Sequence, residues 1–149
     1  ANGPHLSRGI GFKTAITNNT LTSILRVTVP SAHIEGTIKI TYVAQSGLLR
    51  RRRLGDLFIS IGRTNGADTG TALLESFAQQ TVLSGAAETF TTTFGLSALT
   101  GAAGAVQTFD IQVTTVAGGA DPGYVEWYYE LFSAMYDAVT TDEITIAAV

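Results

Sequence analysis

The sequence predicts a mainly β protein that folds as one antiparallel β-sandwich of seven or eight strands. Apolar and polar residues alternate at period two over several segments, which is typical of half-buried strands. Clusters such as TNGADTG and TGAAGA separate these segments and indicate turns. The 149 residues, 45% of them hydrophobic, suit a single domain with a substantial core.

The first residues of the chain are predicted to lie outside the sandwich. Residues 1–9 contain Gly3, Pro4 and Gly9 and few apolar anchors. We therefore expect them to form a flexible N-terminal arm, ahead of a single β-sandwich domain at 10–149.

The alternation then places the strands along the chain. The clearest strands lie at 21–29, where Pro30 ends the ladder, and at 34–45. Residues 73–83 are ambiguous. Weaker alternation predicts five further strands, at 11–17, 57–63, 89–96, 107–116 and 143–149.

The segment 121–139 fits both a helix and a strand. Its aromatic residues favour a strand, whereas Asp121-Pro122 is a typical helix start. A polar stripe at helical spacing would consist of Glu126, Glu130, Ser133 and Asp137. The matching apolar face would consist of Val125, Tyr128, Tyr129, Phe132, Met135, Tyr136 and Val139. One helix near 122–138 therefore stays open beside the strand.

Charge divides the chain into two halves. All nine basic residues lie within residues 1–63 together with two acids, for a net charge of +7. Residues 64–149 hold ten acids and neither Lys nor Arg, for a net charge of −10. If the halves interleave in the fold, no charged faces result. If they segregate, unlike patches would orient the molecule when it docks.

The sequence offers no catalytic or cofactor-binding pattern. Cysteine is absent, which excludes disulfides, zinc–thiolate sites and thiol catalysis. The two histidines, His5 and His33, lack metal-ligand spacing, and no GxSxG or phosphate-binding glycine motif occurs. Glu126 and Glu130 would lie about 13 Å apart on a strand, beyond the usual glycosidase separation of about 5–9.5 Å. We expect no enzyme, no cofactor and no metal.

Three groups of residues are candidates for protein interfaces. The run LLRRRRLGD holds Arg50, Arg51, Arg52 and Arg53, which cannot share one face of a strand and so favour a hairpin tip. Such a tip suits an acidic protein surface; the acidic total of −3 and the lack of a recognition motif disfavour nucleic acid. The predicted arm contributes His5 and Arg8. The aromatic candidates, for a sister copy, for the core or for sugar stacking, are Tyr124, Trp127 and Tyr128.

The segments TLTSILRVTVP, IEGTIKITYVAQ and FDIQVTTVAGG, with the arm ANGPHLSRG, give the chain a family resemblance. In its Thr-, Ala- and Gly-rich β composition it resembles the head decoration (cement) proteins of tailed phages, some of which are jelly-roll sandwiches. The resemblance implies a jelly-roll-like fold, a homo-oligomer (dimer or trimer) and a place on the outer surface of the virion head. The implied partner is the major capsid protein, whose subunits it would bridge.

A second function fits the same composition. A receptor- or glycan-binding domain of a phage tail fibre or spike would also be rich in β-strands and Thr. No apolar stretch approaches the roughly 20 residues that cross a bilayer, so neither interpretation involves a membrane.

Overall fold

The computed structural model describes residues 3–46, 51–64, 70–76, 80–83, 89–135 and 143–149. These residues form strands and connections and no helix, so they include no helix long and apolar enough to cross a membrane. The strands are β1 (Gly3–Ile16), β2 (Thr22–Val29), β3 (Ile34–Ser46), β4 (Arg51–Arg63), β5 (Thr71–Ser76), β6 (Gln80–Leu83), β7 (Phe90–Leu96), β8 (Gln107–Ala117), β9 (Gly123–Met135) and β10 (Thr145–Ala148).

The strands form two antiparallel sheets. Sheet A has the order β1-β9-β3-β4-β5, with β6 also paired to β4, and sheet B has the order β10-β2-β8-β7. Because β1 pairs with β9 and β2 pairs with β8, the first strands wrap around the last ones as in a jelly roll. The pairing of β3 with β4 departs from simple wrapping, since these consecutive strands remain in one sheet. The predicted β-sandwich is confirmed, although the described residues form ten strands where seven or eight were predicted.

The alternating patterns located the strands well. The predicted strands at 21–29, 34–45, 89–96 and 107–116 correspond to β2, β3, β7 and β8. The strand predicted at 57–63 begins six residues earlier, at Arg51, because its first part pairs with β6. The ambiguous segment 73–83 spans the end of β5 and all of β6.

The helix near 122–138 was the wrong alternative. Residues 123–135 form β9, which lies between β1 and β3 and bonds to both. Ser133, assigned to the polar stripe of the helix, is buried, whereas Phe132 from its apolar face is 55% exposed. Pairing along both edges thus overrides the local helical spacing.

Residues 3–9, which were expected to form an arm, are the first half of β1 and pair with β9. Proline and glycine are tolerated there because β1 is an edge strand. Only residues 1–2 of the expected arm lie outside the described residues.

The core lies between the inward faces of the two sheets. Sheet A contributes Ile38, Ile40 and Leu131, and sheet B contributes Val27 and Ile111, all nearly inaccessible to solvent. Burial of these faces is the main source of stability. It also leaves the opposite face of sheet A free to carry a function.

Candidate protein-docking surface

The outer face of sheet A carries an unusual number of large apolar side chains. Alternation along β1 and β9 turns every second residue away from the core. Five of these residues form what we call the apolar band: Leu6, Ile10, Phe12, Tyr128 and Phe132. Cross-strand register makes two neighbouring pairs within the band, Leu6 with Phe132 and Ile10 with Tyr128.

Tyr124 extends the apolar band, because its ring stacks on that of Phe12. The rings of Phe12 and Tyr124 lie 6.3 Å apart between centroids, with an interplanar angle of 22°. The Tyr124 hydroxyl donates a hydrogen bond to Glu126 Oε2 at 3.1 Å. Partial burial, followed by this carboxylate, raises the pKa of Tyr124, so the phenol stays protonated and its ring stays neutral.

A charged row crosses the same face. Arg8, Glu130 and Lys39 stand opposite one another on β1, β9 and β3. Arg8 Nε lies 3.5 Å from Glu130 Oε1, and the Tyr128 hydroxyl donates to the same oxygen at 2.8 Å. That hydrogen bond is the main cause of a raised pKa at Tyr128. The row gives the apolar face a fixed polar centre.

A shallow groove of about 510 Å³ runs along this face. Ile10 and Phe12 form one wall, Thr41 and Val43 form the other, and the floor includes Tyr128. Its apolar lining suits a protruding apolar side chain of another protein.

The structure brings four of the predicted interface residues onto this face. Arg8 and Tyr128 lie in its centre, and Tyr124 lies beside Gln45, which in turn pairs with Arg52. Arg52 is exposed, and its Nε donates to Gln45 Oε1 at 3.1 Å.

The remaining predicted residues lie elsewhere. Trp127 is only 6% exposed and packs in the core, the structural alternative to a stacking platform. Arg53 is half-buried, and its Nε donates to the Phe90 carbonyl of sheet B at 3.0 Å. His5 Nδ1 lies 3.0 Å from Glu143 Oε1, just before β10.

The arginine run was predicted to form a hairpin tip, and for Arg51, Arg52 and Arg53 this was wrong, because they lie within β4 and pair with β6. The pleat of the strand separates their side chains. Arg52 points outward and Arg53 points toward the other sheet, while Arg51 begins the strand. Arg50 lies outside the described residues.

Two carboxylates of β9, Glu126 and Glu130, lie on the outer face. Among the residues that the structure describes, no three His, Asp or Glu side chains are grouped to hold a metal ion. Glu126 and Glu130 both point outward, four residues apart on one strand, and each accepts a hydrogen bond from a tyrosine. In both pairs the donor is the tyrosine two residues before the glutamate in β9.

Neither a protein-family model nor a curated protein matches this chain. One solved structure shares its fold. The crystal structure of the Acinetobacter baumannii phage AM24 tailspike protein superposes on 95% of this chain with a TM-score of 0.55 and 7% sequence identity. The chain spans 28% of the length of that protein. At this identity the likeness concerns the fold alone.

Sequence reasoning missed the main members of the apolar band. Leu6, Ile10 and Phe12 were divided between an expected arm and a short strand, although they alternate with Ser7, Gly9 and Gly11. Treating 4–12 as part of one strand would have found them. Alternation alone could not show which face of β1 points outward. Its inward face carries Gly9 and Gly11, which give no apolar signal in the sequence.

Proposed function

We propose that this chain is a structural module of a phage virion that docks onto another virion protein through the outer face of sheet A. The apolar band carries this proposal. Leu6, Ile10, Phe12 and Phe132 are each more than half exposed and lie on one face. Large exposed apolar side chains gathered on one face together with charged groups are typical of protein interaction sites.

The virion setting has two supports. The fold is similar to that of part of a phage tailspike protein, over 95% of this chain. The composition also resembles that of phage head decoration proteins. A docking role of this kind requires no catalysis, so we propose a structural protein and not an enzyme.

Two places in the virion are candidates. In the first, the chain decorates the outer surface of the head and bridges subunits of the major capsid protein, as the family resemblance implies. In the second, it is a module of a tail fibre or spike that packs against neighbouring parts or binds a receptor or glycan. The fold likeness to a tailspike specifically favours the second place.

Co-sedimentation with separated virion parts tests both the role and the place. Purified chain is mixed with expanded capsids and, separately, with tails of the phage that encodes it. We expect stoichiometric binding to one fraction, and the fraction identifies the place.

The face is tested by a matched pair of variants. Phe132→Lys puts a charge in the apolar band, and Leu21→Lys puts one on an equally exposed apolar residue outside that face. We expect Phe132→Lys to weaken binding at least about tenfold, while Leu21→Lys binds normally. Equal binding by both variants, or no binding to either fraction, would overturn the proposal.

A further inference from the structure

Strand β1 lies at the edge of sheet A. It is 14 residues long and pairs with β9 on one side. Among the described strands, none pairs with its other side. An edge strand presents unpaired N–H and C=O groups on which a further strand can add.

The features that usually protect such an edge are confined to the two ends of β1. Pro4 stands near the start, and the register with β9 shifts between Lys13 and Ile16, where Ala15 has a φ of 53°. Between these ends the register with β9 advances one residue at a time. A regular, bulge-free stretch of about eight residues therefore has no strand partner on its outer side among the described residues.

Lys13 does not guard this edge. Its side chain turns between the sheets, where Nζ donates to the Ser23 carbonyl at 3.2 Å and to the Val149 carbonyl at 2.9 Å. Arg8 is the charged side chain within the regular stretch, and it forms an ion pair with Glu130 of the neighbouring strand β9. Charge repulsion at the edge is correspondingly weak.

The sequence of this edge is complementary to itself about Gly9. Leu6 and Phe12 stand three residues to either side, and Arg8 and Ile10 stand one residue to either side. In an antiparallel pair of β1 strands centred on Gly9, Leu6 faces Phe12 of the second copy and Arg8 faces its Ile10. Large apolar residues then meet twice, and no like charges stand opposite one another.

Neighbouring registers are poorer. A pair centred on Arg8 places two arginines directly opposite each other, and like charges in that position destabilise a ladder. A pair centred on Ile10 places Leu6 opposite Thr14 and loses its contact with Phe12. Gly9 also suits the centre because the ring of Tyr129 covers it and needs the space.

We propose that two copies of this chain pair through β1, antiparallel and centred on Gly9, about a two-fold axis perpendicular to sheet A. The two sheets A then become one continuous sheet. The pair is closed, because each copy uses the only β1 edge it has. Since strand pairing is a small contact, we expect a dissociation constant on the order of 10 µM.

Sedimentation of the purified chain over about 1–200 µM tests the pairing apart from any virion role. Ile10 is 82% exposed, so substitutions there preserve the monomer fold. Ile10→Arg faces Arg8 of the second copy and should weaken dimerisation at least about tenfold. Ile10→Glu faces the same arginine with opposite charge and should dimerise at low salt but not at high salt. Leu21→Arg is the control and should dimerise like the wild type.

Cysteine cross-linking tests the register, because the chain has no cysteine of its own. Facing residues in a ladder have Cβ atoms about 4.5–5.5 Å apart, close enough for a disulfide after slight adjustment. A mixture of Leu6→Cys and Phe12→Cys chains should form a covalent dimer on oxidation. Neither variant alone, nor Leu6→Cys mixed with Leu21→Cys, should do so.

Three results would overturn the inference. They are a wild-type chain that stays monomeric throughout, equal dimerisation of Ile10→Arg and Ile10→Glu at low salt, or cross-linking that does not depend on the Leu6 and Phe12 pair. A wild-type chain that stays monomeric but binds virion parts normally would refute the pairing and leave the proposed function standing.

Discussion

At the scale of single residues, glycines in sheet A make room for aromatic rings. Gly9 stands opposite Tyr129, Gly11 opposite Trp127 and Gly55 opposite Tyr42. A Cβ on Gly11 would meet the Trp127 ring at 2.8 Å, and one on Gly55 would meet the Tyr42 hydroxyl at 2.7 Å. The ring covers the bare glycine backbone in each pair, so the glycines are needed for space.

Replacing Gly55 with Ala tests this arrangement. Tyr42 is 2% exposed, and its ring lies 4.4 Å from that of Phe94, so it cannot move aside freely. We expect the free energy of unfolding to fall by about 1–3 kcal/mol. Gly95→Ala in β7 is the control, since nothing lies within 4 Å of the added Cβ, and it should raise stability by about 0.5 kcal/mol. Urea unfolding of both variants measures the difference; equal effects would contradict the role of the ring.

The candidate site shows what sequence can predict at this scale. Of the residues predicted for an interface, Arg8, Tyr124 and Tyr128 lie on the outer face of sheet A, whereas Trp127 is buried. Their part in an interface stays a prediction. Trp127, Tyr128 and Tyr129 are adjacent, so they cannot all share one face of a strand. Composition does not tell which of them faces the core. The register with β1 and β3 decides it, and that register is a long-range property.

At the scale of elements, β9 shows where local pattern fails. Its segment carries both helical and strand spacing, and a single sequence gives no way to weigh them. In the structure β9 is the second strand of sheet A and bonds to partners far away in the sequence: Gly3 lies 132 residues before its partner Met135, and Val43 lies 83 residues before its partner Glu126. These distant partners, and not local propensity, make it a strand.

The helix and strand interpretations of β9 predict opposite effects on stability when Leu131 and Phe132 are each replaced by Ala. A helix would bury Phe132, whereas the strand buries Leu131, which is 3% exposed, and leaves Phe132 55% exposed. We therefore expect Leu131→Ala to lower the free energy of unfolding by about 2–5 kcal/mol. Phe132→Ala should change it by no more than about 0.5 kcal/mol. Thermal and urea unfolding of both variants would decide between them, and a larger loss for Phe132→Ala would refute the strand.

At the scale of the whole molecule, strands from the basic half and the acidic half of the chain lie next to one another, so opposite charges meet. The ion pairs Arg8–Glu130 and Arg26–Asp110 each join residues 1–63 to residues 64–149, as does the contact of His5 with Glu143. In the tightest, Arg26 Nε lies 2.8 Å from Asp110 Oδ1, and its hydrogen bonds hold the pKa of that carboxyl below its ordinary value. Of the two outcomes that the sequence left open, the structure shows the one in which unlike halves interleave.

The same asymmetry makes the two halves suited to reassembly from fragments. A break between Thr64 and Asn65 falls after β4 and leaves a basic fragment and an acidic one, with charges of +7 and −10. In the fold, β9 of the acidic fragment lies between β1 and β3 of the basic one. Burial of the sheet faces favours the complex, and the opposite charges should speed the encounter.

Trp127 reports on this reassembly because it is the only tryptophan and is buried in the core. When the fragments are refolded together, we expect its emission to shift to the blue, and we expect the rate of that shift to fall as salt rises from about 20 to 500 mM. A basic fragment with Arg50–Arg53 replaced by Ser keeps the apolar faces but loses four charges, and should associate more slowly with a weaker salt dependence. An emission spectrum that is the same with and without the partner would refute the complementation. A salt-independent rate would show that the charged halves do not attract each other during assembly, leaving apolar burial as the sole driving force.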